Sequence, residues 1–93
     1  MSNKMKVRLL RAARKRIELG LNGFICEALD DAGGAIPRSY AEVHDLRRLI
    51  RNRLDGFAIA ETWLSEKHDL DLDHDQMREW RLQWIDKLIE EFS

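Results

Sequence analysis

Val7, Leu10, Ile17 and Leu21 are spaced in turns of a 3.6-residue helix, and this stripe predicts an amphipathic helix over residues 4–19. Gly20 and Gly23 bracket a break suited to a C-terminal cap and a tight turn. A second helix is predicted from Phe24 to Ala32, with Phe24, Ile25, Ala28 and Leu29 on its apolar side, closing at Gly33-Gly34. Residues 35–38 read as loop. Ser39 and Glu42 have the spacing of a capping box, in which the serine oxygen takes the third helical amide and the glutamate reaches back. That opens a third helix over 39–54, with Val43, Leu46, Ile50 and Leu54 inward and Asp55-Gly56 as the stop.

A fourth helix is predicted over 57–67, burying Ala60, Trp63 and Leu64. Residues 68–73 alternate acid with leucine and do not continue it. Asp73 is suited to cap the next helix, with Gln76 at its third position and Leu72 stapled onto Met77. The last helix, over 74–92, carries the broadest apolar face: Met77, Trp80, Trp84, Ile85, Leu88, Ile89 and Phe92. No internal repeat or low-complexity segment interrupts the series. The expected fold is all-α, a compact bundle of four to five helices forming a single domain over 1–93. Its expected core has Trp63, Trp80 and Trp84 buried among Phe24, Ile25, Ile50, Leu54 and Leu88.

Composition agrees with that picture. The chain has 93 residues, 44% hydrophobic and 35% charged, enough apolar material for a core. One proline and five glycines argue against a many-stranded fold. No apolar run approaches the roughly 18 residues of a membrane span. The first residues are basic rather than apolar, unlike a secretory signal. The single Cys26 excludes an internal disulfide and a multi-cysteine zinc site. A cytoplasmic protein without membrane contact is expected.

Charge divides the chain. Residues 1–53 hold 12 Lys and Arg against 6 Asp and Glu, while residues 54–93 hold 4 against 11. Either the two halves face each other within the fold, or one pole is presented to a partner of opposite sign. Two arginines break the apolar patterns. Arg14 lies in the seam of the first helix, and Arg81 lies between Met77, Trp84 and Leu88. Such an arginine must snorkel or pair. Both are expected in structural ion pairs with Glu27, Asp30 or Asp31 of the second helix, Arg81 alternatively bonding helix-end carbonyls, and stacking on Trp80 or Trp84; a ligand-facing Arg81 would instead stand unpaired at a cleft mouth.

The third helix adds a basic band. Tyr40, His44, Arg47, Arg48 and Arg51 fall within an arc of about 100° beside its apolar stripe, a footprint for phosphates or an acidic protein surface. Lys4, Arg8, Arg11 and Lys15 form a second row, opposite the core stripe of the first helix. A pI near 6.3 is far below that of dedicated nucleic-acid domains. Asp69, Asp71, Asp73, Asp75 and Glu79 form an acidic surface on the other side of the ledger. The aspartates imitate the start of an EF-hand loop, but His74 stands where its glycine belongs and Trp80 where its bidentate glutamate belongs. His68 and His74 have no specific zinc spacing, and Cys26 reads as a core thiol. No nucleophile elbow, catalytic triad or phosphate-cradling loop is visible. The expectation is a non-enzymatic protein without cofactor or metal.

Ile17-x-x-Gly20-x-x-x-Phe24-Ile25-Cys26-x-Ala28-Leu29, Trp63-Leu64 with His68, and Met77-Arg78-x-x-Arg81-x-x-Trp84-Ile85-Asp86-x-Leu88-Ile89 form a pattern that resembles small uncharacterised proteins of tailed phages and prophages. The resemblance implies a phage or prophage origin and no active-site residue. Non-enzymatic phage proteins of this size commonly bind host proteins, as anti-CRISPR and anti-restriction inhibitors do. The first functional expectation is an inhibitor of a host protein complex, its acidic surface imitating nucleic-acid phosphates. The alternative is a small DNA-binding regulator using the basic band of the third helix.

Overall fold

The computed structural model describes residues 3–52 and 74–93. These residues form four helices and no strand. Helix α1 spans Asn3–Glu18 and α2 spans Ile25–Ala35. Helix α3 occupies residues 40–52, up to the edge of the described segment. Helix α4 spans His74–Phe92. The expected helix over 57–67 lies outside the described residues, as do Leu54, Trp63 and the Asp73 cap.

Helix α1 is central and packs against both α2 and α4. It ends in a Schellman motif: Gly20 adopts φ 75°, and the N–H groups of Leu21 and Gly20 donate to Arg16 and Ile17 carbonyls at 2.8 and 3.0 Å. The chain therefore leaves the helix before Leu21, which is exposed rather than part of the core stripe. The buried positions of α1 are Leu9, Leu10, Ala13 and Ile17, with Val7 half-buried.

Helix α2 runs through Gly33 and Gly34 instead of stopping there. Pro37 is the physical stop, because the residue before a proline is driven out of the helical region; Ile36 is accordingly extended, at φ −112° and ψ 111°. Gly33 serves packing. A Cβ built on it would lie 2.5 Å from Val43 Cγ2, so the bare backbone lets α3 approach α2 closely.

The capping box does not form. Ser39 is buried, and its hydroxyl donates backwards to the Ile36 and Gly33 carbonyls at 2.7 and 3.1 Å. Only its carbonyl serves α3, accepting from Val43 N–H at 2.9 Å. Glu42 instead has a buried Oε2 with no hydrogen-bond partner among the described residues.

The core joins Leu9, Leu10, Ala13 and Ile17 to Ile25, Ala28 and Leu29 of α2, Val43, Leu46 and Ile50 of α3, and Leu82, Ile85 and Leu88 of α4. Trp80 and Trp84 are only half-buried against its margin. Phe24 is 55% exposed, since it sits at the N-cap of α2 in extended backbone. Cys26 is half-buried beside the core. No described helix is long and apolar enough to cross a membrane.

Candidate functional site

Arg14, the first of the two pattern-breaking arginines, finds partners other than those expected. Arg14 Nε donates to Asp86 Oδ1 at 2.7 Å and its Nη1 to Glu18 Oε2 at 2.7 Å. Neither carboxylate belongs to α2. Both groups face half-exposed surface at the α1–α4 contact. The bond to Asp86 chiefly holds the Arg14 guanidinium above its ordinary pKa, against the opposing effect of burial. This pair also joins the basic half of the chain to the acidic half. Arg81 is 8% exposed, and its guanidinium carbon lies 5.2 Å from the centre of the Phe24 ring.

Carboxylates of α2 have other work. Asn22, 6% exposed between the glycines of the first turn, accepts from Arg16 Nε at 2.6 Å and donates to Glu27 Oε1 at 3.0 Å and Asp31 Oδ2 at 2.8 Å. Four side chains thus lock the α1–α2 turn. Nothing in a Gly-x-Asn-Gly stretch distinguishes a buried amide from an exposed turn residue, so pattern reading passes over Asn22.

The basic band of α3 is brought together at one corner. Tyr40, His44 and Arg47 line a groove of about 450 Å³ with Asp30, Gly33, Gly34, Ile36, Pro37, Arg38, Ser39 and Val43. Tyr40 is 84% exposed and stacks on His44, with centroids 6.4 Å apart and planes 12° from parallel. Arg48 Nη2 donates to His44 Nε2 at 3.2 Å, which steadies the ring from the next turn. Arg47 Nη1 donates to Asp30 Oδ1 at 3.1 Å, so its charge is partly answered across the groove. Arg51 is exposed one turn further along. Arg38 completes the rim at φ 61°, a left-handed conformation that costs a non-glycine residue about 1–2 kcal/mol. Residues held this way concentrate at functional loops. The band was legible from helical period; Arg38 was not, because only the turn geometry carries it to the groove.

Of the acidic surface, Asp69, Asp71 and Asp73 lie outside the described residues. Asp75 and Glu79 are exposed on the first turns of α4, and Asp75 Oδ1 stands 3.5 Å from Arg78 Nη1. Acids there also favour the helix N-terminus. Among the described residues no three His, Cys, Asp or Glu side chains converge as metal ligands.

Neither known protein families, nor curated proteins, nor solved structures show a match to the chain.

Proposed function

We propose that this is a non-enzymatic binding protein that inhibits a host protein complex through its charged surfaces, in the manner of the anti-defence proteins of phages. The observation that carries the reading is the α2–α3 corner. There an exposed, ring-stacked Tyr40 and the cation Arg38 border a groove of ligand size, with Arg48 bonded to His44 and Arg51 exposed further along the same helix. Tyrosine and arginine are the side chains most often found as anchors of protein interfaces, because each combines large contact area with a polar handle. An acidic patch on the partner suits the rim; Asp75 and Glu79, with the acids that precede them in sequence, serve a basic one. The phage-like sequence pattern supports the host setting.

The test pairs capture with mutation. Tagged wild-type protein and a Tyr40→Ala/Arg48→Ala variant are each incubated with host lysate, and retained proteins are identified by mass spectrometry. A partner held by the wild type and lost by the variant is expected. Duplex DNA shifted at micromolar protein in physiological salt, and released by the same variant, would favour the DNA-binding regulator instead, since the band is also a phosphate footprint. Arg38→Gly gives a finer readout: it should stabilise the fold by about 1 kcal/mol through relief of the left-handed strain while weakening partner binding.

A further inference from the structure

The row of cations on the outer face of α1 differs from the arginines that are answered within the fold. Arg14, Arg16, Arg47, Arg48 and Arg78 each bond or ion-pair with a neighbouring side chain. Lys4, Arg8 and Arg11 are exposed and have no carboxylate partner among the described residues. Their sequence spacing places them on one face, rising about 1.5 Å per residue. Lys4 and Arg8 form a ridge between two clefts. One, of about 540 Å³, has Val7 and Phe92 as its apolar wall, with Arg11 on its rim. The other, of about 480 Å³, is bordered by Met5 and Glu42. Phe92 is steadied by Lys6, whose ammonium lies 5.2 Å from the ring centre.

We infer that this face binds single-stranded nucleic acid, with a phosphate on the Lys4–Arg8 ridge and the flanking nucleosides in the two clefts. Polyanion chemistry follows from three cations in a row that no carboxylate answers among the described residues. The single-stranded form follows from the clefts: a nucleoside has a flat apolar face for a wall such as Val7 and Phe92, and a duplex keeps those faces stacked inside. An acidic polypeptide would satisfy the ridge but has no regular alternation of charge with flat apolar groups. Among the described residues Glu42 is the one acidic side chain lining the clefts, and its Oε2 is buried. The face is separate from the α2–α3 corner, so Tyr40→Ala/Arg48→Ala should leave this binding intact even where it abolishes partner capture.

The experiment is fluorescence anisotropy on the full chain with a short labelled mixed-sequence DNA, single-stranded and annealed to its complement, over a salt series, with polyglutamate as competitor. Wild type should prefer the single strand. Lys4→Gln/Arg8→Gln should weaken it at least about tenfold at low salt and flatten the log–log salt dependence by about 0.7, the share of the one phosphate they hold. Lys87→Gln, an exposed lysine of α4 outside both clefts, should change neither. Phe92→Leu should lose affinity several-fold at unchanged salt slope. Absent single-strand binding, undiminished binding by the double variant, no loss in Phe92→Leu, or equal affinity for the duplex or polyglutamate would each overturn the assignment.

Discussion

The two halves of α1 carry the same kinds of residue in different electrostatic states. In the C-terminal half, Arg14 is bonded to Asp86 and Glu18, Lys15 stands 3.7 Å from Glu18, and Arg16 is bonded to Asn22 and lies 3.6 Å from Asp31. Toward the N-terminus Lys4 and Arg8, with Arg11 at mid-helix, face solvent with no carboxylate paired to them among the described residues. Both halves press the same apolar stripe into the core. The difference lies in what surrounds them: Glu18 of α1 itself, Asp86 of α4 and Asp31 of α2 stand at one end, while the other end meets Phe92 of α4. A cation answered within the fold holds elements in place. A cation left unanswered is available to a ligand.

Mutations can break or sharpen this contrast, beginning with the face the halves share. Leu10→Ala and Ile17→Ala each remove a fully buried side chain, one from each half, and should each cost about 2–5 kcal/mol in denaturant unfolding. If only one half showed the loss, the halves would differ in packing as well as charge. Asn22→Ala leaves Arg16, Glu27 and Asp31 without their common partner, and should cost about 1–3 kcal/mol. Loss of less than about 0.5 kcal/mol would show the turn network to be ornamental.

Arg14→Met is a smaller perturbation. Its partners are half-exposed, so the loss should be about 0.5–1 kcal/mol and should shrink in high salt. A guanidinium raised above its ordinary pKa contributes fully at every pH below that ordinary value and loses its contribution only as pH climbs past the raised one. The Arg14 side of the pair should therefore be flat across neutral pH, as chemical melts at several pH values would show. Lys4→Gln/Arg8→Gln should move stability by no more than about 0.5 kcal/mol, although it should abolish most single-strand binding. A melting temperature that fell with this variant would mean that the N-terminal cations are structural after all.

Much of the architecture is legible without coordinates. The boundaries 74–92 follow from the long apolar face of α4, and helical period placed Tyr40, His44, Arg47, Arg48 and Arg51 on one side of α3. Periodicity is local, and local physics suffices there. Partner choice was less legible. Arg14 was expected to reach α2 and meets α4; Ser39 was expected to cap forwards and bonds backwards; Phe24 was expected inside and lies under Arg81 at the surface.

The sequence by itself determined that the described segments are helical, which positions of α4 turn inward at Ile85 and Leu88, and that Arg14 and Arg81 break their stripes. Only the tertiary structure decided that Gly33 is a contact point rather than a stop, that Asn22 is the hub of a buried network, and that Arg14, Lys15 and Arg16 are answered while Lys4, Arg8 and Arg11 are not. A helix needs only the backbone hydrogen bonds and side-chain spacing of a few neighbouring residues. The state of a charge depends on what the rest of the chain brings within about 4 Å of it, and that distance is set by how helices far apart in sequence come to pack.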